Sequence, residues 1–123
     1  MKDKYITLID KLLKFRVDRG WDKIDHQDYA KSIAIEACEL LEHFQWDSSF
    51  DDFKKSKNIE EIKSELADIL IYVFYLAHDL NIDLLDAVND KHIQTLKKYT
   101  VENFNLETKL THYKTTRKTY KES

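Results

Sequence analysis

Two pairs of acidic residues repeat one spacing along the sequence. Glu36 and Glu39 lie three residues apart, as do Glu65 and Asp68. Residues three apart are neighbours on one face of an α-helix. If the two helices pack together, the four carboxylates meet in one cleft, where they could hold a metal ion. The same spacing is common on solvated helix faces, so each pair taken alone also fits a plain surface.

Apolar neighbours strengthen the metal-binding interpretation. Glu65 falls between Ile62 and Ile69, so it interrupts the apolar face of its helix. A buried carboxylate is very unfavourable unless it is paired or bound to a metal, and four carboxylates together raise one another's pKa values. A divalent cation relieves both problems, and hard oxygen ligands favour Mg²⁺ or Mn²⁺ over zinc. The pattern therefore predicts a magnesium site, with Mn²⁺ as the alternative.

Apolar residues recur at helical spacing in four segments of the chain. Gly20 stops the first segment. Asp28 is predicted to cap the second helix, which runs to about Trp46, and Asp83 to cap the fourth, which runs to about Tyr99. The first and third helices are predicted at about 4–19 and 59–79, and a polar loop with a short turn at 47–57.

The composition favours an all-α fold. The 123 residues include one Gly and no Pro, the residues that usually mark tight turns and strand-rich folds. The third helix contains the run ILIYVFYLA, which is apolar on all sides and predicts burial in a bundle centre or a subunit interface. We expect a domain of about four helices over residues 1–99, assembled as a homodimer or homotetramer. Residues 100–123 are expected to form a peripheral or mobile tail.

Charge and cysteine content limit the partners and the compartment. The formal net charge of −3 argues against a nucleic acid polymer as the partner, since such proteins usually carry a basic surplus. The lone Cys38 cannot form an internal disulfide, which is consistent with a reducing cytosol. The charged N-terminus does not look like a secretory signal. The longest apolar run, Ile69 to Ala77, is about half of a membrane span. These features predict a cytoplasmic protein without a membrane partner.

Two stretches of the sequence resemble a known family. They read DYAKSIAIEACELLEHFQW (28–46) and SELADILIYVFYLAHDLNIDLLDAVNDKHIQTLKKYT (64–100). Together they resemble the MazG-like all-α NTP pyrophosphatase superfamily, whose signature is an ExxE pair, a spacer and an ExxD pair. The resemblance covers about residues 20–100 and points to the small stand-alone branch that includes the dCTP pyrophosphatases.

This resemblance implies a reaction and a role for each acid. Glu36, Glu39, Glu65 and Asp68 would hold Mg²⁺, which binds and polarises the triphosphate. Water would attack the α-phosphorus, so that an NTP or dNTP gives its monophosphate and pyrophosphate; dCTP or a modified pyrimidine nucleotide would fit. Glu36 and Glu39 would be the catalytic residues, with Glu39 orienting or deprotonating the water.

The resemblance also implies residues on the phosphate side of the substrate. Lys91 resembles the family's phosphate-side lysine and could neutralise the β- and γ-phosphates. Lys98 resembles the basic residue before the family's tyrosine, which is Tyr99 here. Thr95 stands where relatives often carry Asn, so this contact departs from the family pattern. A solvated surface charge is the alternative for either lysine.

Aromatic residues resemble those that line the base pocket in relatives. They are Trp21, Trp46 and Tyr72, and stacking on them would tolerate different bases. Ordinary packing in a core or an interface is the alternative. His26 resembles a histidine that relatives carry before this helix, but the step from it to Asp28 is one residue shorter and lacks Pro. The sequence therefore leaves the nucleobase preference open.

Two other protein classes compete with this interpretation. A di-iron carboxylate bundle uses Glu-x-x-His pairs, and no histidine of this sequence follows a glutamate by three residues. A non-catalytic helical module that binds nucleotide or protein would be expected to lose part of the acidic quartet, whereas all four acids are present. We predict that deletion of residues 104–123 leaves catalysis largely intact.

Overall fold

The structure, a computed structural model, describes residues 2–45 and 59–101. These residues form four α-helices and one short 3-10 helix, Trp21–Lys23, and contain no β-strand, which confirms the all-α prediction. The predicted loop at 47–57 lies outside the described residues, as does most of the predicted tail. The helices are α1 (Lys2–Asp18), α2 (His26–Glu42), α3 (Ile59–Asp79) and α4 (Leu84–Lys98).

The chain divides into two compact units, residues 1–82 and residues 83–123. In the first unit, α2 packs against α3, and α1 contacts both the 3-10 helix and α3. This unit therefore brings together the two helices that carry the acidic pairs. In the second unit the described residues form α4, whose cap is the predicted one: the Asp83 side chain accepts a hydrogen bond from the Asp86 N–H at 3.1 Å.

α1 ends where the single glycine of the sequence reverses the chain. Gly20 has a φ of 71°, and its N–H donates to the Val17 carbonyl at 3.0 Å. This left-handed conformation strains residues that carry a side chain, whereas glycine adopts it freely. The predicted stop at Gly20 is confirmed, and the 3-10 helix then leads the chain into α2.

Both predicted ends of α2 are wrong by a few residues. The N-cap is Asp25, whose backbone is extended (φ −65°, ψ 145°), and the Asp28 N–H already donates to the Asp25 carbonyl at 3.0 Å. Asp28 therefore lies inside the first turn instead of capping it. At the other end α2 stops at Glu42, before the predicted Trp46, because residues 43–45 make hydrogen bonds to carbonyls three residues back, which tightens the chain into a turn.

α3 matches its predicted range and supplies most of the buried apolar residues, namely Ile62, Tyr75 and Ala77. Two residues beyond its end, Asn81 has a φ of 59° and lets the Ile82 N–H reach the Ala77 carbonyl at 2.8 Å, as in a Schellman turn. Leu70 remains 50 % exposed within the single chain. No helix of the described ranges is long and apolar enough to cross a membrane.

The core of the first unit contains a buried guanidinium. Arg16 on α1 is 3 % exposed and makes two hydrogen bonds to the Asp79 carboxylate on α3, at 2.8 and 3.0 Å. It also donates to the Tyr29 hydroxyl at 3.2 Å, and its guanidinium carbon lies 4.8 Å from the centre of the Tyr75 ring. We call Arg16, Asp79, Tyr29 and Tyr75 the Arg16 cluster; it ties α1, α2 and α3 together.

Candidate active site

The packing of α2 on α3 brings acids from the two predicted pairs together. Glu36 on α2 and Glu65 and Asp68 on α3 each place one carboxylate oxygen within 4.8 Å of the others, and all three are half-buried. We call these three residues the acidic cluster. The predicted meeting of the two pairs in one place is therefore confirmed for these three acids.

Two oxygen atoms of the acidic cluster have no hydrogen-bond partner although they are buried: Oε2 of Glu36 and Oε2 of Glu65. Buried polar atoms in folded proteins are nearly always satisfied, and an exception calls for an explanation such as an ion. Oxygen atoms that converge without donors suit a hard divalent cation of the Mg²⁺ type. The donor set thus fits the cation that the sequence predicts.

The electrostatic environment of Glu36 also favours a bound cation. Burial, hydrogen bonding to the carboxyl groups of Glu39 and Glu65, and the negative charges of Glu39 and Asp68 raise the pKa of Glu36 to about 7. Crowded carboxylates resist ionisation because the charged forms repel one another and lose hydration. A cation placed among them would favour the ionised form.

Glu39, the fourth acid, stands slightly apart from this cluster. It is half-buried on α2 and close enough to raise the pKa of Glu36, but it is not among the three acids whose oxygen atoms converge. Its expected role toward a water molecule stays a prediction.

His43 lies beside the acidic cluster and was not among the residues singled out from the sequence. Its Nε2 atom is 3.8 Å from Glu65 Oε1 and its Nδ1 atom is 3.7 Å from Glu61 Oε2. His43 follows Glu36 by seven residues, two helical turns, so the helical period that links Glu36 and Glu39 could have revealed it.

A cavity of about 680 Å³ opens next to the acidic cluster within the first unit. Asp68 belongs to both, since it lines the cavity wall and contributes an oxygen to the cluster. Two polar residues of α2, Asp28 and Ser32, also line it. The rest of the wall is apolar and mostly aromatic, with rings from Phe15, Trp21, Tyr29, Tyr72 and Tyr75. The volume is in the range of small-molecule sites.

Comparison with known proteins identifies the family. Residues 31–112, which include the whole acidic cluster, match the model of the MazG-like family. The chain belongs to the MazG-like family.

Individual relatives of this MazG-like chain carry pyrophosphatase names. It is 32 % identical over 93 residues to dCTP pyrophosphatase 1 of Mus musculus and equally to that of Rattus norvegicus. The match covers 72 % of this chain and 54 % of either relative, so the chain spans about half the length of the curated relatives it matches. A crystal structure of a pyrophosphatase from Archaeoglobus fulgidus superimposes with a TM-score of 0.73 at 38 % identity, covering 79 % of this chain and 93 % of the other.

The predicted base-pocket residues of this MazG-like chain fall in different places. Trp21 and Tyr72 both line the cavity, so the structure brings them to the acidic cluster through Asp68. His26 is exposed as the first residue of α2 and is not among the residues that line the cavity. Trp46 lies outside the described residues.

The predicted phosphate-side residues all belong to the second unit. Lys91 is exposed on α4. The Lys98 ammonium lies 5.4 Å from the centre of the Tyr99 ring, and the Tyr99 N–H donates to the Thr95 carbonyl at 2.9 Å, which closes the helix. Their role toward a phosphate group stays a prediction.

The Arg16 cluster also bears on the site, although the sequence reasoning did not anticipate it. Tyr29 accepts a hydrogen bond from Arg16 and donates one to the Trp21 backbone carbonyl at 2.8 Å. Tyr75 donates to the Leu12 carbonyl at 3.1 Å. Because both rings line the cavity, the buried ion pair fixes part of the aromatic wall. Arg16 and Asp79 are 63 residues apart, so no local spacing signals their contact.

Proposed function

We propose that this MazG-like chain is a nucleoside triphosphate pyrophosphohydrolase that converts an NTP or dNTP to its monophosphate and pyrophosphate with Mg²⁺. The observation that carries the proposal is the position of Asp68, which is shared by the acidic cluster and the aromatic cavity. One end of this arrangement suits metal-bound phosphates and the other suits a planar base. The pyrophosphatase names of the relatives support the same reaction.

The four acids would bind the metal ion and orient the attacking water. Glu36, Glu65 and Asp68 would hold Mg²⁺ with Glu39 at their edge, and Mn²⁺ would fit the same oxygen ligands. The ion, when bound, supplies charge neutralisation on the phosphate oxygens. Phosphoryl transfer depends mainly on such positioning and neutralisation. Glu39 would orient a water molecule toward the α-phosphorus and accept its proton.

The aromatic wall would hold the base. The Trp21 and Tyr72 rings line the cavity, and a base that stacks on such rings gains affinity whatever its identity. Lys91 and Lys98 would neutralise the departing pyrophosphate as compact positive charges. A base held at one end and a metal at the other would fix the α-phosphorus between them, which removes most of the orientational freedom of the reaction.

Product analysis tests this function. The purified chain is incubated with Mg²⁺ and a panel of ribo- and deoxynucleoside triphosphates, and the products are separated by chromatography. We expect monophosphate and pyrophosphate, with at least about a 100-fold loss in Glu39→Gln and Asp68→Asn and no loss in Asp10→Asn, an exposed acid of α1. Diphosphate plus phosphate would reveal a different phosphohydrolase. Metal-dependent binding without turnover would indicate a non-catalytic module.

The assembly and the compartment form part of the proposal. Leu66 and Leu70 on α3 and Ile35 and Leu41 on α2 are half exposed or more within the single chain. Side chains of this kind are covered in many proteins by a second copy of the chain. We therefore propose a homodimer or homotetramer, built on a domain of residues 1–99. The single cysteine, Cys38, supports a cytoplasmic location. Sedimentation equilibrium of the full chain measures the assembly, and a monomer at micromolar concentration would contradict it.

A further inference from the structure

Two polar residues that line the cavity, Ser32 and Asp28, lie one turn apart on the same face of α2. Ser32 precedes Glu36 by one turn of α2, and Asp28 precedes it by two turns, which places Asp28 about 12 Å from Glu36 along the helix axis. Both residues line the same cavity as Asp68. With increasing distance from Glu36 along α2, the cavity wall therefore carries the Ser32 hydroxyl and then the Asp28 carboxylate.

This order matches the parts of a nucleotide. With its phosphates at the acidic cluster, the sugar and then the base would extend along α2 between the Trp21 and Tyr72 rings, and the edge of the base would face Asp28. Aromatic rings hold the faces of a base and do not distinguish one base from another. A polar side chain at the edge of the base is what can select it.

The chemistry of Asp28 favours one kind of base edge. An ionised carboxylate accepts hydrogen bonds and donates none, and acidic side chains pair with the 4-amino group of cytosine. Uracil and thymine present a carbonyl at that position, which a carboxylate repels. Ser32 can donate or accept, so its hydroxyl would contact either base.

The surroundings of Asp28 leave it available for this contact. Its side chain is 56 % exposed, and its one ion pair, between Oδ1 and the Lys31 Nζ atom, is 4.0 Å long. That distance exceeds a hydrogen bond, so both oxygens keep their capacity to accept. Because the carboxylate remains partly hydrated, the selection it provides should be moderate, about tenfold for one charged hydrogen bond.

We propose that Asp28 is a specificity-determining residue that makes the cavity prefer bases with an exocyclic amino group, such as cytosine, over uracil and thymine. This inference rests on the proposed function, since it uses the nucleotide orientation set by the acidic cluster. It goes further by assigning the choice of base to one side chain that lines the cavity two helical turns from Glu36.

The test compares two substrates that differ only at position 4 of the pyrimidine ring, dCTP and dUTP. For the unmodified chain we expect kcat/KM to be about tenfold higher for dCTP. In Asp28→Asn the new amide can donate to the uracil carbonyl as well as accept from the amino group, so the ratio should fall close to one, with dUTP hydrolysis rising. A variant that was merely misfolded could not gain activity on dUTP.

Two further variants serve as controls. Asp10→Asn removes the same charge from an exposed site of α1 that does not line this cavity, and it should keep the dCTP preference. Ser32→Ala should lower kcat/KM for dCTP and dUTP by the same factor and leave the ratio of the two values unchanged. An equal rate on dCTP and dUTP, a preference for dUTP, or an Asp28→Asn variant with the original ratio would each overturn the inference.

A binding measurement separates this inference from the proposed function. Titration calorimetry with dCMP and dUMP requires no turnover, so it decides the base preference even if the chain hydrolyses no nucleotide. Tighter binding of dCMP that is lost in Asp28→Asn supports the inference whatever the catalytic result. Equal binding of the two monophosphates, or no binding of either at millimolar concentration, overturns it.

Discussion

The Arg16 cluster and the acidic cluster both hold charged groups between helices of the first unit, but their charges are arranged differently. In the Arg16 cluster a guanidinium faces a carboxylate with two hydrogen bonds, at 2.8 and 3.0 Å. In the acidic cluster three carboxylates converge, and two of their buried oxygens have no hydrogen-bond partner. One cluster contains its own counter-charge, and the other presents oxygens that a cation could bind.

This difference indicates which cluster serves the fold and which serves a ligand. A buried pair that meets its own hydrogen-bonding needs is costly to break, because each partner is left charged and unpaired. A cluster of like charges is costly to keep in the absence of a ligand and becomes favourable when the ligand binds. The two regions should therefore respond in opposite ways to the removal of charge.

The largest effect is expected in the Arg16 cluster. Arg16→Met leaves the Asp79 carboxylate, which is 13 % exposed, without its partner. We expect the free energy of unfolding to fall by about 3–5 kcal/mol, as for other broken buried pairs, measured by urea denaturation. The double variant Arg16→Met with Asp79→Leu should recover much of this loss. A loss below about 1 kcal/mol in the single variant would place this cluster with ordinary surface pairs.

The acidic cluster should respond in the opposite way. Asp68→Asn is expected to lower kcat/KM for nucleotide hydrolysis by about 100-fold or more while leaving the metal-free protein as stable as before or more so, since one of three repelling charges is gone. Steady-state kinetics and urea denaturation measure the two quantities. Glu60→Gln, at an exposed position of α3, is the matched control. If Asp68→Asn lowered the free energy of unfolding as much as Arg16→Met does, the two clusters would not differ in their contribution to stability.

Added metal should stabilise the protein through the acidic cluster alone. With Mg²⁺ at about 100 times its Kd, the free energy of unfolding should rise by about 2.7 kcal/mol. Differential scanning calorimetry with Mg²⁺ and with chelator gives this difference. Asp68→Asn should show a much smaller rise, whereas a variant of the Arg16 cluster should show the full one. An equal rise in Asp68→Asn would mean that the ion binds elsewhere.

The protonation of Glu36 gives the acidic cluster a pH dependence in the absence of metal. Its pKa is about 7 in the folded chain against an ordinary value of 4.5, so between these values the folded chain keeps a proton that the unfolded chain has released. Stability from this group is therefore complete below about pH 4.5 and is lost as the pH rises toward 7. Thermal unfolding in chelator from pH 4.5 to 8 measures this, with Glu36→Gln as the reference.

The difference between the two proteins isolates Glu36, because all other groups titrate in both. We expect Glu36→Gln to gain stability relative to the unmodified chain as the pH rises through this window. A constant difference across the window would mean that the Glu36 carboxyl titrates in the folded chain as it does in the unfolded one.

The smallest effect is expected at a surface pair, which serves as the reference for both clusters. Lys14 Nζ lies 2.7 Å from Asp18 Oδ2, but the two side chains are 76 % and 51 % exposed. Lys14→Met should change the free energy of unfolding by no more than about 0.5 kcal/mol, by urea denaturation at physiological ionic strength. A loss comparable to that of Arg16→Met would mean that short distance alone, without burial, decides the strength of these pairs.

The same comparison explains which features the sequence could predict. The acidic pairs were found because each lies within one helix, where spacing fixes the face. The stop at Gly20 and the cap at Asp83 were found because they depend on one residue and its immediate neighbours. Local rules of this kind were enough to predict the helices of the described residues and the meeting of Glu36 with Glu65 and Asp68.

Other features escaped the sequence for physical reasons. Asp25 and Asp28 are equally good capping residues, and only the backbone conformation decides that Asp25 is the cap. The Arg16–Asp79 pair joins residues 63 positions apart, and such a contact follows from the packing of whole helices. The cavity is likewise lined by four elements, namely α1, the 3-10 helix, α2 and α3, so the sequence reasoning treated Asp28 only as a cap.

The double membership of Asp68 has a consequence for how such a protein can diversify. Because this one carboxylate belongs to the acidic cluster and to the cavity wall, a substitution there changes chemistry and recognition at once, and selection should hold it fixed. Asp28 and Ser32 line the cavity but do not belong to the acidic cluster, so a substitution there changes recognition alone. Gene duplicates could therefore acquire new nucleotide preferences by drift at the start of α2 while inheriting their reaction chemistry intact.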